Sequence, residues 1–472
     1  MSNSRRRLLT GAAAAVGAAA AGLPVRGKQA APGQPKTDPR PNIVLIVADD
    51  MRATDWQALP KTRVALQGAT EYPNFFCQFP VCSPARTTLL TGLLAHNHGV
   101  LFNTGPVALS GYAAFARNGM ERRSIPVLLQ RSGYLTGLVG KFMHGYDESA
   151  KQPDGWSRWV AKATGGYTNF DLMVDTELIR FKGNDYATDV LARYASEFIE
   201  TAPPEQPLFL YFSPTAPHEP YQPAPRHRAK FSRNIVTRDA GFNEADTSDK
   251  PTSVAALPPL TPEQMIQIDE TERQRLRLLA STDEAVSALV RSLRTASRLD
   301  NTVIMFVSDN GYIMGQHRLF GIKGQPYDQA VRVPMLAWGP GFKPGVDKRV
   351  VSNADVAPTI ADLAGIKLKR VDGVSLLGRT RRDYALLQLA STAYRDGGFG
   401  LRSAALMYFE YDSGDRELYD LRSDPLELVN FLPPGGPANP WTPADIPTPA
   451  ELSAKLALLK RCRGSRCVTT GR

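Results

Sequence analysis

Three short runs of apolar residues, rich in branched side chains, constrain the fold of this chain more than any other feature. They occupy residues 41–48, 207–212 and 302–307 of the 472-residue sequence. None of them alternates polar with apolar residues, as a strand with one solvated face would. Such runs are typical of strands covered on both faces, as in a parallel sheet between layers of helices.

Helical patterns lie between these strands. Apolar residues recur at helical spacing in residues 124–132, 185–201 and 263–298. Strands that alternate with helices predict an α/β fold with a large mixed, mostly parallel sheet flanked by helices. From about residue 369 the pattern changes to short strand-like pieces such as 404–411, which predict a smaller C-terminal antiparallel α+β subdomain.

The N-terminal segment is typical of an export signal. Residues 1–30 carry five basic residues and no acidic one, and Arg5, Arg6 and Arg7 precede an apolar stretch rich in Ala and Gly. A basic region before a short apolar one indicates a signal peptide. Paired arginines before two leucines resemble the twin-arginine signal of bacteria. We therefore predict export to the periplasm or the extracellular space by the twin-arginine export machinery.

These patterns divide the chain into five parts. Residues 1–30 are the predicted signal peptide and 31–40 a linker, followed by a catalytic domain at 41–368, a C-terminal subdomain at 369–432, and a Pro-rich tail with a terminal helix at 433–472. The cleavage site and the oligomeric state are not defined by the sequence. No later segment has the roughly 18 uncharged apolar residues of a membrane span, so no transmembrane segment is predicted.

The charge pattern argues against a nucleic-acid partner. The formal net charge is +10, and half of it lies in residues 1–30. The remaining excess suits an anionic substrate and suits solubility equally well. No run of basic residues is interleaved with aromatic ones, so no nucleic-acid partner is predicted.

The chain has four cysteines, and two of them lie close together near its end. Cys462 and Cys467 could close a small disulfide loop in an oxidising compartment. The sequence does not fix their pairing.

Polar residues follow each of the three predicted strands. Asp49 and Asp50 come after the first, Asp309 and Asn310 after the last, and the loop after 207–212 contains His218. In a doubly wound sheet the carboxyl ends of the strands line the ligand site. The convergence of these side chains at one edge therefore predicts an enzyme.

A second signal is the run Cys82-Ser83-Pro84-Ala85-Arg86, which continues into Leu90-Thr91-Gly92. Pro84 near a helix start places Cys82 at a helix N-terminus, where free N–H groups favour an anion. Arg86 lies about one turn further on and can return to the same point. The alternative for a single cysteine before a helix is an inert buried residue.

Cys-x-Pro-x-Arg followed by Leu-Thr-Gly resembles the signature of the sulfatase family, within the alkaline phosphatase superfamily. Landmarks of the resemblance run from residue 42 to about residue 431. It implies an alkaline phosphatase-like fold and the conversion of Cys82 to formylglycine by a formylglycine-generating enzyme. Further landmarks are Gly140-Lys141, Ala216-Pro217-His218 and Gly321-Ile322-Lys323-Gly324.

The resemblance also implies a complete set of site residues. One Ca²⁺, or alternatively Mg²⁺, is held by Asp49, Asp50, Asp309, Asn310 and the modified Cys82. The implied catalytic residues are Cys82, Arg86, Lys141, His144, His218 and Lys323. Many relatives have a histidine two residues after the lysine, whereas His144 follows Lys141 by three, so His144 is either a substrate-binding or a structural residue. His317 is either directed at the substrate or structural.

The implied function is hydrolysis of a sulfate ester in a glycan or small molecule. Asn97-His98, the spacing after Lys141 and the segment 315–319 resemble the N-acetylglucosamine-6-sulfatase branch, so a carbohydrate sulfate is the first candidate and an aryl sulfate the second. One alternative is a phosphomonoester or phosphonate-ester hydrolase of the same superfamily, which Asn310 and the scarcity of histidine disfavour. The other is a non-catalytic protein that binds sulfated glycans.

Overall fold

The structure is a computed structural model that describes residues 38–147, 151–392, 396–436, 439 and 442–471. The predicted signal peptide lies outside the described residues, as does the linker as far as residue 37. Within them, the strands build one ten-stranded sheet, one four-stranded sheet and two pairs of short strands.

The strands, in chain order, are β1 Asn42–Ala48, β2 Thr70–Glu71, β3 Phe75–Phe76, β4 Leu135–Gly140, β5 Arg158–Gly165, β6 Phe170–Val174, β7 Glu177–Phe181, β8 Leu208–Ser213, β9 Thr302–Ser308, β10 Ile313–Met314, β11 Phe320–Ile322, β12 Met335–Trp338, β13 Gly345–Val346, β14 Val351–Ser352, β15 Ala385–Leu389, β16 Gly398–Arg402, β17 Leu406–Tyr411 and β18 Arg416–Asp420.

The α-helices are α1 Pro60–Ala65, α2 Cys82–Thr91, α3 Ala95–His98, α4 Gly111–Arg117, α5 Met120–Arg123, α6 Ile125–Arg131, α7 Ala187–Thr201, α8 Thr252–Ala255, α9 Pro262–Thr295, α10 Asp328–Val331, α11 Val356–Leu363, α12 Pro449–Leu459 and α13 Arg466–Thr469. Short 3₁₀ turns occur at Asp55–Ala58, Val107–Leu109, Pro225–His227, Leu299–Asn301 and Asn353–Asp355. Among the described residues, no helix combines the length and the apolar character that crossing a bilayer requires.

The large sheet is parallel at its centre and antiparallel towards its sides. Its strand order is β13-β2-β12-β9-β1-β8-β4-β5-β6-β7. The five strands from β9 to β5 run parallel, whereas β12, β6 and β7 are antiparallel to their neighbours. The predicted large mixed, mostly parallel sheet is therefore confirmed.

Helices cover both faces of this sheet, as the continuous apolar runs predict. Every residue of β1, β8 and β9 is buried. Odd-numbered residues of β1 pack with α2, α6 and α11, and even-numbered residues pack with α7 and α9. Successive side chains of a strand point to opposite faces, so both faces must be apolar and no alternation appears in the sequence.

The predicted long helices are also present. Residues 124–132 correspond to α6, 185–201 to α7 and 263–298 to α9, with ends that differ by at most three residues. The start of α9 is fixed by a reciprocal cap. Thr261 Oγ1 accepts the N–H of Gln264 at 3.3 Å, and Gln264 Oε1 accepts the N–H of Thr261 at 2.8 Å.

The small antiparallel sheet, in the order β15-β16-β17-β18, packs directly on residues of the preceding part of the chain. Its core includes Tyr327, which lies in the loop before α10. The carboxylate of buried Glu417 accepts hydrogen bonds from the hydroxyls of Tyr327 (2.9 Å), Tyr411 (2.6 Å) and Tyr419 (2.6 Å). The loop before α10 is therefore anchored to the small sheet by both apolar and polar contacts.

The predicted terminal helix is present as α12, and the short helix α13 follows it. Leu452, Leu456 and Leu459 of α12 are buried against the small sheet. Cys462 and Cys467 form a disulfide directly after the helix, which answers the question of pairing that the sequence leaves open.

Candidate active site

Two polar pairs lie side by side at the carboxyl edge of the large sheet. Asp49 and Asp50 follow β1, and Asp309 and Asn310 follow β9. Because β1 and β9 pair in parallel along their whole length, the two pairs leave the sheet at the same level. Asp309 Oδ1 accepts the backbone N–H groups of Asp50 at 3.0 Å and of Asn310 at 2.8 Å. All four side chains are buried.

The amide of Asn310 belongs to the same cluster. Its Nδ2 donates to Asp50 Oδ1 at 2.6 Å and to the carbonyl oxygen of Gly311 at 2.9 Å. Its Oδ1 is buried and has no hydrogen-bond partner among the described residues. Leaving a buried acceptor unpaired is costly, so this oxygen is a candidate ligand for a cation.

Cys82 is the first residue of α2, as the position of Pro84 predicts. Its Sγ lies 3.4 Å from Asp49 Oδ1, 3.9 Å from Asp50 Oδ1 and 2.9 Å from Lys323 Nζ. The free N–H groups of the first helical turn favour negative charge at this point. The side chain is completely buried.

Arg86 lies one turn further along α2 and its guanidinium returns to the carboxylates. Its Nε donates to Asp309 Oδ2 at 2.8 Å, and Nη1 donates to the carbonyl oxygen of Lys141 at 2.9 Å and to Ser213 Oγ at 2.7 Å. Its Nη2 is 3.6 Å from Asp49 Oδ1 and has no hydrogen-bond partner among the described residues. Arg86 therefore compensates two carboxylates and keeps one N–H group free.

Two lysines complete the set of cations. Lys141 follows β4, and its Nζ lies 2.5 Å from Asp49 Oδ2. Lys323 follows β11, and its Nζ lies 2.5 Å from Asp50 Oδ1. The residue before Lys141 must be glycine, because Gly140 has a φ of +122° and a Cβ there would lie 2.0 Å from the carbonyl oxygen of Ser213.

His218 lies at the open side of the cluster. Its Nε2 is 3.8 Å from Asp50 Oδ2, its Nδ1 is 2.7 Å from the carbonyl oxygen of Glu219, and 25% of its side chain is exposed. It borders a cleft of about 220 Å³ whose lining includes Asp50, His218, Tyr221, Tyr312 and Lys323. A ligand in this cleft can therefore reach the carboxylate cluster and His218 together.

Burial raises the pKa of each of the three carboxyl groups, and the neighbouring cations oppose it. At Asp49 the cations, Lys141 foremost, outweigh burial and hold the pKa well below its usual range. At Asp50 the neighbouring cations, Lys323 foremost, also outweigh burial, and the pKa of this carboxyl group is lowered. At Asp309 burial prevails, with help from the charge of Asp49, and the pKa is raised. The charges of the site are therefore closely balanced.

The surroundings of Cys82 favour the protonated form of its thiol. Burial raises its pKa to about 12, and the positive charges of Lys141 and Lys323 offset burial only in part. The thiolate is the nucleophilic form of cysteine, so the protonated thiol is a weak nucleophile at neutral pH. The N-terminus of α2 favours an anion at residue 82, but the thiol of the unmodified cysteine does not supply one at neutral pH.

The two histidines whose roles the sequence leaves open lie in different surroundings. His144 is an exposed residue. Partial burial and the charge of Lys141 lower the pKa of its imidazole, which places it within electrostatic range of the site. His317 is completely buried, with Nδ1 2.7 Å from Glu244 Oε2 and its ring against Tyr327. These contacts favour a structural role for His317.

The sequence does not single out two further residues of the site. Ser213 ends β8 and holds Nη1 of Arg86; it directly follows the run 207–212, so the rule for strand ends would have found it. Arg275 is buried in α9, where its Nη2 donates to the carbonyl oxygen of Asp50 at 2.6 Å and its guanidinium lies over Tyr312. It stands in the charged run Glu272-Arg273-Gln274-Arg275, so no local pattern distinguishes it.

The donor set suits a hard cation. Ligand atoms of Asp49, Asp50, Asp309 and Cys82 all lie within 4.8 Å of one another, and Asn310 Oδ1 adds an unpaired oxygen. Carboxylate and amide oxygens are the ligands of Ca²⁺ and Mg²⁺, whereas zinc sites are built mainly from histidine and cysteine. The residues present therefore fit a Ca²⁺ or Mg²⁺ ion.

A family model and several known proteins match most of this chain. The family model described as Sulfatase matches residues 41–366. An arylsulfatase of Volvox carteri is 32% identical over 91% of this chain and 76% of its own length. The N-acetylglucosamine-6-sulfatase of Homo sapiens is 29% identical over 92% of this chain and 86% of its own length.

Solved structures show the same fold at lower identity. The structure of BT4656 in complex with its substrate D-glucosamine-2-N,6-O-disulfate has a TM-score of 0.71 and 22% identity, covering 83% of this chain and 93% of that one. A phosphonate monoester hydrolase of Agrobacterium radiobacter has a TM-score of 0.63 and 21% identity, covering 83% of this chain and 91% of that one. At these identities the likeness shows the fold alone.

Replacing Arg86 with methionine tests the charge balance. The change removes the cation from buried Asp309 and Asp49, so we expect the free energy of unfolding at neutral pH to fall by about 3–5 kcal/mol. Chemical denaturation measures this loss. The control is Arg63→Met, whose exposed pair with Glu71 at 3.2 Å should be worth less than about 1 kcal/mol. Similar small losses in both variants would contradict the analysis.

Proposed function

Because the chain belongs to the sulfatase family of sulfuric ester hydrolases, we propose that it cleaves sulfate esters with a formylglycine made from Cys82 and one divalent cation. The proposed substrate is a carbohydrate sulfate similar to N-acetylglucosamine 6-sulfate, with a small aryl sulfate as the second candidate. The observation that carries the proposal is the position of Cys82. Its Sγ lies at a helix N-terminus, 2.9–3.9 Å from a lysine and two carboxylates.

In the proposed enzyme, Sγ of Cys82 stands in for an oxygen of the hydrated aldehyde. Formylglycine, when formed, supplies one hydroxyl that attacks the sulfur atom and a second whose deprotonation re-forms the aldehyde and releases sulfate. The high pKa of the buried thiol supports this assignment, because the cysteine itself is a poor nucleophile. The conversion requires a formylglycine-generating enzyme as a partner.

Asp49, Asp50, Asp309 and Asn310 would hold the cation, together with the oxygen at position 82. We propose Ca²⁺, with Mg²⁺ as the alternative, because these residues offer oxygen atoms only. The buried Oδ1 of Asn310, unpaired among the described residues, supports this ligand set. The ion, when bound, polarises the sulfate group and the hydroxyl at position 82 as a Lewis acid.

Arg86, Lys141 and Lys323 would bind the sulfate group. Lys323 Nζ lies 2.9 Å from Sγ of Cys82, and Arg86 keeps Nη2 free beside the carboxylates. Fixed cations in a buried site stabilise negative charge that develops in the transition state without having to reorganise. His144, which lies within electrostatic range of Lys141, would bind the remainder of the substrate.

His218 would donate a proton to the departing alcohol. It is the imidazole that borders the cleft, and its Nε2 lies 3.8 Å from Asp50 Oδ2, on the open side of the cluster. The sulfur–oxygen bond of the ester breaks as this proton reaches the alcohol oxygen, so the product leaves as a neutral hydroxyl. Lys323, which lines the same cleft, is placed to assist.

We also propose that the protein is exported by the twin-arginine route to the periplasm or the extracellular space. That route carries folded proteins, and Cys82 is completely buried in the folded chain. Its modification must therefore precede export and take place in the cytoplasm. The basic and apolar character of residues 1–30 supports this order.

The first test compares sulfate with phosphate, since the fold is shared with a phosphonate monoester hydrolase. We expect a higher kcat/KM for para-nitrophenyl sulfate than for para-nitrophenyl phosphate, because the site has Asn310 and a single predicted cation. The Cys82→Ala variant should lose sulfate turnover by about a thousandfold or more. Mass analysis of the Cys82 peptide should show loss of one sulfur and two hydrogen atoms and gain of one oxygen.

Each other result has a defined meaning. A faster reaction with the phosphate ester would replace the sulfatase proposal with a phosphoester or phosphonate hydrolase. An unmodified Cys82 peptide in a protein that binds sulfated sugars without cleaving them would support a non-catalytic glycan binder.

The proton-donor role of His218 predicts a dependence on the leaving group. In His218→Ala, kcat should fall by about 100-fold or more for N-acetylglucosamine 6-sulfate, whose alkoxide needs a proton. It should fall much less for para-nitrophenyl sulfate, whose phenolate leaves unprotonated. Steady-state kinetics with the two esters measure this difference. Equal losses with both would assign His218 to binding or folding instead.

The proposed ligand set predicts stabilisation by a metal. After treatment with a chelator, Ca²⁺ at 100 times its Kd should stabilise the protein by about 2.7 kcal/mol, because the ion binds only the folded cluster. Thermal unfolding and calorimetry measure this effect and compare Ca²⁺ with Mg²⁺. Asp309→Asn should lose most of the stabilisation, and the exposed control Asp300→Asn should keep it. Equal stabilisation of both variants would count against this site.

A further inference from the structure

Lys162, in β5, is a cation that has no salt-bridge partner among the described residues. Its side chain is partly buried. In the part of the chain that the structure describes, its Nζ takes part in no salt bridge and no hydrogen bond. Its recorded contact is with the ring of Tyr167, whose centroid lies 5.4 Å from Nζ. Burying an ammonium group without an anion is unfavourable, so a lysine that lacks such a partner and lies within electrostatic range of Asp49 and Lys141 is a candidate binding residue.

The sheet places Lys162 next to Lys141. β4 and β5 pair in parallel with Gly140 opposite Ala161, so Lys141, directly after β4, and Lys162, within β5, lie side by side towards the carboxyl ends of the two strands. The strand order β1-β8-β4-β5 puts β4 two strands from Asp49 and β5 three. At about 4.8 Å per strand, Lys162 begins about 5 Å further from the carboxylate cluster than Lys141 does. Lys141 contacts the carboxylate cluster directly, whereas Lys162 starts one strand further away from it.

Tyr167 connects Lys162 to the loop of His218. The tyrosine is completely buried, and its hydroxyl donates to the carbonyl oxygen of His218 at 2.8 Å. One buried ring therefore separates Lys162 from the loop that carries the proposed proton donor to the departing alcohol. Burial lowers the pKa of Lys162 to about 8, and the charge of Lys141 adds to this effect while Asp49 opposes it. An anion next to Nζ would offset both the cost of burying the ammonium group and its repulsion from Lys141.

We propose that Lys162 binds a second anionic group, a sulfate or a carboxylate, on the alcohol portion of the substrate. The inference rests on the proposed sulfatase function and refines its substrate class. The preferred substrate is a sulfated carbohydrate that carries a further negative charge on the same sugar or on its neighbour. Lys141 and Lys162 lie on neighbouring strands, and the spacing between these strands sets the separation of the two anionic groups.

The test uses the modified enzyme and three esters that share one cleaved group. N-acetylglucosamine 6-sulfate has no second anion, N-sulfoglucosamine 6-sulfate has a second sulfate group, and a disaccharide of a uronic acid with N-acetylglucosamine 6-sulfate has a carboxylate. In Lys162→Met, the kcat/KM of a two-anion ester relative to that of the one-anion ester should fall about tenfold, mainly through KM, because a charge-assisted contact is lost. The ester whose ratio falls identifies the group, and Lys162→Arg should restore part of it.

Lys182→Met is the matched control. Lys182 is exposed and follows β7, two strands further along the same edge, since Phe181 pairs with Phe170 and Phe170 with Gly165. The Lys182→Met variant removes one charge from the edge without changing the contact of Lys162 with Tyr167. The ratio of the two kcat/KM values should therefore stay unchanged. An unchanged ratio in Lys162→Met, or the same ratio change in the control, would overturn the proposal. If Lys162→Met does not fold, Lys162→Gln is measured with the same criteria.

Failure of the underlying function gives a different result. If the enzyme cleaves none of the esters, calorimetry with the Cys82→Ser protein measures binding of the same three compounds. Weaker binding of a two-anion ester after adding Lys162→Met would then support the role of Lys162 although the sulfatase proposal fails. Equal affinities with and without Lys162 would overturn the role of Lys162, and no binding of any ester would overturn both.

Discussion

The site depends on the compensation of three buried carboxylates by three cations. Asp49, Asp50 and Asp309 lie within one cluster, where mutual repulsion and loss of water both disfavour their charged forms. The compensating cations come from helix α2, from the end of β4 and from the loop after β11. Because removing one partner leaves a buried charge unpaired, these distant segments are held together by the same interactions that prepare the site for an anion.

Much of this arrangement could be predicted from the sequence because the signals are local. The apolar run before Asp49 and the run before Asp309 predict strands covered on both faces, and the polar residues after them predict where the strands point. Pro84 predicts the start of α2, and the spacing from Cys82 predicts that Arg86 returns to it. Each of these inferences needs only a few neighbouring residues, and the structure agrees in geometry with all of them.

The remainder depends on which segments become neighbours, and local patterns do not contain that information. Lys162 is one polar residue near the end of a strand, and it gains meaning only because β5 pairs with β4 in a particular register. Arg275 is one of several charged residues in its part of α9, and only its contact with the backbone of Asp50 distinguishes it. The sequence leaves the role of His317 open between substrate binding and structure, and the fold of a distant segment brings Glu244 to it.

The contact between Tyr327 and the small sheet has a consequence for the order in which the chain assembles during synthesis. Lys323 lies four residues before Tyr327, whose hydroxyl is held by Glu417 in the last strand. The lysine next to Cys82 is therefore anchored by residues that leave the ribosome late. At about 5–20 residues per second, the segment around Cys82 waits for roughly tens of seconds before its final neighbours exist. The late position of the small sheet thus gives any enzyme that modifies this cysteine a defined interval in which to reach it.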